Sequence, residues 1–360
     1  MSEKSEWKEW KQQAFKNNLL EDLSQAYYDD ESELLYTVSI DGEYRTLPLF
    51  SPYSWLIHTH PEAPVASYTN KMYSDYDYDA IVENIAELIP DGEDPEEYVW
   101  NDEVFACSEA ITDEFWFSFV KSDYFTVRTI QARLENEMYE KAFEEGIDPT
   151  AKSEELSDDI YDWSLPYRDE YYPSFSDLAT MRKRPRFVGI DATVVLNTGD
   201  SYSIVLQEQP ETVTTHPKRL KNTPGGVFNT KDDDSPPYIT EFIHKAIESE
   251  LSIAQDDFET LIDEGQASIE TLGVALESIR GYLQLHYLVY VNEPNVGEQL
   301  KEEISESGDF TYLDVSDTQA ISEYLLDDST PINSAFGVSE SLIRLSRKYN
   351  IEFGTEIKRW

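Results

Sequence analysis

FVGIDATVVLNTGDSYSIVLQEQ, residues 187–209, holds two apolar, β-branched runs separated by Asn197, Thr198, Gly199 and Asp200. Val, Ile and Thr are stiff about the first side-chain torsion and pack well on a pleated surface, and the intervening break suits a tight turn. The stretch therefore predicts a β-hairpin. Working outward, Pro224-Gly225-Gly226 marks a second tight turn. A polar loop over 229–237 then leads into EFIHKAIESELSI (241–253), where Phe242, Ala246, Ile247 and Leu251 recur at helical spacing with acids between them. YLQLHYLVYVN (282–292) is too rich in Tyr and Val to favour a helix and reads as a strand. Strands on either side of one amphipathic helix predict an α+β fold.

Taken together, residues 184–346 resemble a Nudix domain. That resemblance implies an α/β/α sandwich, preceded here by a mixed α+β N-terminal region. In the family a Gly opens a signature that ends in a helix reading Arg-Glu-apolar-x-Glu-Glu-x-Gly-apolar, whose carboxylates hold Mg²⁺ against a diphosphate. The matching register runs from Lys245 to Ile253. Lys245 stands in place of the Arg, Ala246 of the first Glu, Ser249 of the second and Ser252 of the Gly, so Glu250 alone keeps a metal-ligand carboxylate. Gly226 and Lys245 are nineteen positions apart, a longer interval than the signature has, and Pro237 falls near the place of an intervening Glu. Residues 273–291 and 330–345 sit where such domains have a late strand and a packing helix.

Mg²⁺ wants near-octahedral oxygen ligands, usually one or two carboxylates with waters and substrate phosphates. Ala246 and Ser249 remove negative charge where the cation would sit, and Glu248 lies about 200° round the helix from Glu250. The favoured reading is a Nudix-fold module without ordinary catalysis that binds or senses a nucleotide or other phosphorylated small molecule. The alternative is a divergent Mg²⁺-dependent diphosphohydrolase acting on a nucleoside diphosphate linked to another group, with Glu250 and acids such as Glu241, Asp256, Asp257 or Glu259 rebuilding the metal site. A third reading, a protein-interaction scaffold, gains if neutralising the basic clusters leaves every ligand response unchanged.

The chain has 360 residues, with 73 acids against 28 bases and a formal charge of −45. The acids are spread along its whole length, which reads as adaptation to a cytoplasm of molar salt, where the Debye length falls to about 3 Å. The same charge argues against nucleic acid or an anionic membrane as partner. With Cys107 as the one cysteine, no internal disulfide forms. Neither a signal peptide nor an apolar run of spanning length is visible, so the expectation is a soluble, cytoplasmic protein.

Against that acidic background the basic residues stand out. Arg182, Lys183, Arg184 and Arg186 cluster before the first strand of the Nudix-like region, and Lys218, Arg219 and Lys221 precede the Pro-Gly-Gly turn. Guanidinium groups take phosphate oxygens in pairs, and the N–H groups of a Gly-Gly turn add to such a site. Arg184, Arg186, Lys218, Arg219, Gly225, Gly226 and Lys245 are the expected ligand-binding residues, with Glu250 as the metal candidate. The bland counterpart is a latch in which these cations pair with acids of the N-terminal region.

Residues 1–145 are expected to form an α+β domain, 146–183 an acidic connector containing Pro and Tyr that packs on the surface, and 347–360 a tail. Trp7, Trp10, Ala14, Phe15 and Leu19 line one helical face. Residues 34–70 suggest short strands, 79–88 a helix, and 115–130 an aromatic run entering a helix that extends to about Glu145. His58 and His60 alternate as metal ligands on a strand do, but no third ligand accompanies them, and His216 and His244 flank the site as ordinary packing or capping residues would. The 24 tyrosines, evenly spread, suit core contacts more than base stacking. Arg280, before a Gly, reads as a hairpin residue.

Overall fold

The computed structural model describes residues 3–28, 35–50, 65–72, 76–89, 92, 94–99, 101–111, 116–156, 158–171, 186–210, 218–227, 239–353 and 356–359. In the N-terminal half the elements are α1 (Glu3–Lys16), α2 (Leu19–Tyr27), β1 (Leu35–Ile40), β2 (Glu43–Phe50), β3 (Val65–Met72), α3 (Tyr78–Leu88), β4 (Glu103–Ile111), β5 (Trp116–Asp123), α4 (Tyr124–Glu144) and α5 (Pro166–Tyr171). There follow β6 (Arg186–Asn197), β7 (Tyr202–Glu208), β8 (Leu220–Asn222), β9 (Gly225–Val227), α6 (Ile239–Leu251), α7 (Gln255–Asp263), β10 (Ala267–Glu277) and β11 (Leu283–Val291). The chain closes with α8 (Pro294–Ser307), β12 (Phe310–Asp314), α9 (Thr318–Leu326), α10 (Ile332–Tyr349) and β13 (Ile357–Arg359).

The expected hairpin of residues 187–209 is present as β6 and β7, paired antiparallel from Val195↔Ile204 to Asn197↔Tyr202. β6 is the axis of the sheet. Along one edge it runs parallel to β11, from Val188↔Leu283 to Leu196↔Val291. Its other edge is shared in succession by β4 at residues 186–187, β9 at 189–191 and β7 at 195–197. The main path of the sheet is β13-β1-β2-β10-β11-β6-β4-β5-β3.

Period-two alternation sends neighbouring residues of these strands to opposite layers. Val188, Ile190, Ala192, Val194 and Leu196 of β6 pack with Ile243, Ile247 and Leu251 of α6, Phe258 of α7, and Leu300 and Ile304 of α8. Val195 of β6 and Leu288 and Tyr290 of β11 face the other way, onto α10 and the N-terminal helices. Each fully buried Val, Leu or Ile contributes roughly 1.5–3 kcal/mol, so both layers help to hold the axis strand. The expected α+β class is observed.

The division into segments at 145, 184 and 346 stands as a proposal about folding units, and hydrogen bonding crosses it. β2 pairs β10 at Leu276↔Phe50, and β4 pairs β6 at Ala106↔Phe187. The stretch read as a surface connector contributes a wholly buried side chain, Arg168, whose guanidinium donates to the carbonyls of Leu134, Ser278 and Ile279. Helix starts in the N-terminal half follow ordinary capping chemistry. Asp77 accepts from Ala80 N at 3.1 Å and Asp123 from Thr126 N at 2.8 Å, satisfying N–H groups that a first turn leaves free.

His286 of β11 is fully buried 4.5 Å from the Phe336 ring, with neither ring nitrogen hydrogen-bonded among the described residues. Burial pushes its pKa down to about 3. A His that must stay neutral when folded contributes its full share of stability above its unfolded pKa of about 6.5, and loses it as pH falls toward the folded value. Thermal or urea unfolding should therefore show a loss of about 2 kcal/mol from this residue between pH 6.5 and pH 5. His286→Leu should flatten that slope, and an unchanged slope would remove His286 as its cause.

Candidate functional site

The site grows from the first half of β6. Gly189 and Asp191 lie on the α10 face of the strand, two residues apart. A Cβ on Gly189 would come within 1.9 Å of Gln284 Oε1, so the absence of a side chain lets Gln284 lie across β6. From there Gln284 Nε2 donates to Asp191 Oδ2 at 2.5 Å. β9 closes the opposite side, where a Cβ on Gly225 would meet Asp191 Oδ1 at 2.1 Å. Gly189 thus admits the Gln284 side chain across β6, and Gly225 lets the β9 backbone approach the same carboxylate.

The Pro-Gly-Gly turn is held by the residue expected to hold metal. Thr223 Oγ1 donates to Glu250 Oε2 at 2.7 Å, and Gly225 N lies 3.3 Å from Oε1 and 3.4 Å from Oε2. The turn contains a cis Thr223-Pro224 bond, and Pro224 O accepts from Ala192 N at 2.8 Å. Glu250 therefore ties the turn to α6. The residues present do not fit the family's Mg²⁺: the helix keeps one of its carboxylates, and both oxygens of that one are engaged in the turn. Among the described residues no group of three or more His, Cys, Asp or Glu is arranged to hold a metal ion.

The floor of the cleft comes from the β10–β11 hairpin and from α4. Arg280 Nε bonds Glu135 Oε1 at 2.6 Å, and Arg280 Nη1 bonds Glu277 Oε1 at 3.1 Å. Burial raises the Glu135 carboxyl, but Arg280 and Arg128 together hold it below its usual value. Glu277 is raised by burial, which Arg280 only partly offsets. Burial also lifts Asp191, to about 6, against the opposing pull of Lys221 and the Gln284 bond and with Glu250 and Glu277 adding to the rise. The result is an open cleft of about 190 Å³ in which Lys221, Arg280, the Gly225-Gly226 backbone, Gln209 and Asn333 surround a carboxyl that titrates near pH 6.

The expected ligand residues divide. Gly225 and Gly226 line this cleft, as does Lys221. Lys218 and Arg219 do not; they line a separate hollow against α1 and α2. Lys245 is exposed on α6 and does not line the cleft. Arg186 opens β6 opposite Cys107 of β4. Arg184, Arg182, Lys183, His58, His60 and His216 lie outside the described residues. His244 faces Glu259 of α7, Nδ1 to Oε1 at 3.1 Å, with its ring edge-on to Phe258, so it joins α6 to α7 and takes no part in the cleft. Arg280 is a hairpin residue as expected, and also a buried partner of two acids. Sequence reasoning missed Asp191, Gln284, Glu277 and Glu135; an Asp set in a β-branched run two residues after a Gly was the one signal available.

No protein-family model matches the chain, and no curated protein matches it. Among solved structures it is similar to NrtR of Shewanella oneidensis, at 12% identity and a TM-score of 0.34 over 45% of this chain. It is also similar to the same protein complexed with a 27mer DNA, at 13% identity and a TM-score of 0.32, again over 45% of this chain. It spans 65% and 63% of those two chains, a little under two thirds. A likeness this distant fixes neither family nor activity. It does correct one expectation. Nucleic acid was excluded as a partner on net charge, yet a DNA complex stands among the similar structures. The physical reason is that net charge sums over the whole surface, whereas phosphate contacts are made by a local patch within a Debye length of about 10 Å. Among the described residues no helix is long and apolar enough to cross a membrane.

Proposed function

We propose that the chain is a Nudix-like protein that has lost the family's metal centre and binds or senses a nucleotide or other phosphorylated small molecule in the cleft between β6, β9 and the start of α10. The single observation behind this reading is the position of Glu250, whose carboxylate anchors Thr223 and Gly225 where a catalytic relative would use it for Mg²⁺. What is left in the cleft suits recognition: the Lys221 and Arg280 cations, two glycine backbones, and amide side chains able to read a polar group. The evenly acidic composition fits a cytoplasm of high salt, and molar KCl is the medium for the test.

The experiment is a panel of nucleoside-diphosphate-linked compounds, followed for binding and for product with and without Mg²⁺. Binding should change less than about twofold on adding Mg²⁺, with no product, a difference well under 1 kcal/mol. Glu250→Gln should lower stability by about 1–2 kcal/mol, because charge-assisted bonds to the turn become neutral ones. Mg²⁺-dependent product that disappears in folded Glu250→Gln would instead establish a hydrolase. One observation favours that second reading: Glu250 and Glu277 both act electrostatically on Asp191, so three carboxylates adjoin one cleft.

A further inference from the structure

We propose that the hollow between the α1–α2 junction and the Lys218-Arg219 segment is a second binding site, for a small phosphomonoester with an aromatic or aliphatic body. The hollow measures about 270 Å³. Four cations line it, Lys16, Lys218, Arg219 and Arg280, against a single acid, Glu21. In a chain where acids outnumber bases by more than two to one, that local balance is inverted. Arg280 is offset by Glu135 and Glu277. The attraction therefore rests chiefly on Lys16 and Arg219, neither of which has an ion-pair partner among the described residues.

The local backbone places these groups deliberately. Lys16 ends α1, and Asn18, in the left-handed region at φ 57°, turns the chain into α2 while its side chain donates to Asp328 O at 3.0 Å. Opposite, Lys218 is also left-handed, at φ 58°, and two backbone bonds pin the segment to Gln209: Lys218 N to Gln209 O at 3.0 Å and Gln209 N to Arg219 O at 2.9 Å. Arg219 offers a planar fork that matches two phosphate oxygens, and Lys16 a mobile point charge. Phe15, Leu20 and Tyr139 make the rest of the wall apolar, so the ligand's body should be apolar as well.

Glu21 does not oppose this. Its Oε1 has no hydrogen-bond partner among the described residues, and burial lifts its pKa to about 7, so near neutrality the carboxyl holds a proton for much of the time and can donate it. Arg45 Nη2, 3.5 Å from its other oxygen, holds the group in place. The hollow lies back to back with the cleft, since Arg280 lines both. The proposal does not rest on the function assigned to the cleft.

The test is calorimetric titration of the full chain with phenyl phosphate, phenol, benzoate and inorganic phosphate at pH 6.5 in molar KCl. Phenyl phosphate should bind most tightly and phenol not measurably. Arg219→Gln and Lys16→Gln, both in accessible positions, should each weaken phenyl phosphate by about tenfold or more, the range expected for a lost charge-assisted bond. Lys221→Gln reports the other location: a loss there with none in Arg219→Gln places the phosphate in the cleft and overturns the proposal. Absence of phenyl phosphate binding by the wild-type chain also overturns it, as does benzoate binding equal to phenyl phosphate.

Discussion

Arg168→Leu is expected to cost about 3–5 kcal/mol of folding free energy, among the largest single-residue effects anticipated in this chain. The side chain is fully buried, and its fork is spent on three backbone carbonyls from two separate places, Leu134 in α4 and Ser278 and Ile279 in the β10–β11 hairpin. Carbonyls buried away from water need donors, and Leu supplies none. The α5 backbone is held as well, since Tyr167 N and Arg168 N donate to Glu137 at 2.7 and 2.8 Å. Arg168→Lys should recover only part of the loss, because an ammonium cannot reach three acceptors in one plane. Urea denaturation followed by circular dichroism reads both variants, and a cost below about 1 kcal/mol for Arg168→Leu would show that water replaces the fork.

Glu135 completes the same junction. Glu135→Gln would leave Arg280 buried with Glu277 as its main carboxylate, and breaking a buried pair from one side also costs about 3–5 kcal/mol. The two substitutions report different things. Arg168 acts on backbone carbonyls of α4 and the hairpin, whereas Glu135 acts on the cation that lines both the cleft and the hollow. Glu135→Gln should therefore also disturb ligand binding where it remains folded.

Elements with a strong local period were legible. Residues 241–253 show helical spacing and form α6 as far as Leu251, 187–209 alternate and form β6 with β7, and 330–345 enter α10 at Ile332. Residues 282–292 read as a strand and contain β11, and Arg280 before Gly281 reads as a hairpin residue and lies in the turn from β10; the stretch 273–291, matched to the place of a late strand, holds the end of β10 as well as β11. The site was much less legible. Asp191 and Gln284 are 93 positions apart, and Glu135 and Arg280 are 145 apart, so nothing in a short window announces either contact. Glu250 shows the opposite failure. The resemblance singled out Glu250 as a metal candidate, but its partners Thr223 and Gly225 give the carboxylate a mechanical task that the residue pattern alone does not reveal.

Asp191→Asn should tighten ADP binding at pH 8 by about tenfold and remove most of the pH dependence of affinity. The carboxyl faces Lys221, Gln284, Glu250 and Glu277, and its pKa is lifted to about 6, so it is largely neutral at pH 5 and charged at pH 8. A charged carboxylate beside a phosphate opposes binding, so wild-type affinity should fall as pH rises through 6. Measuring both proteins at each pH cancels the titration of the nucleotide itself. Stability supplies an independent readout with a definite sign. An acid whose folded pKa lies above its unfolded value binds its proton more tightly when folded, so stability is lost as pH rises from about 4 to 6. The wild-type chain should lose about 2–3 kcal/mol from this group over that interval, and Asp191→Asn should not. If the variant is more stable above pH 6 yet binds ADP no better at pH 8, Asp191 is a buried structural acid and the phosphate lies elsewhere; if both change together, the same carboxyl sets the cost of folding and the affinity of the cleft.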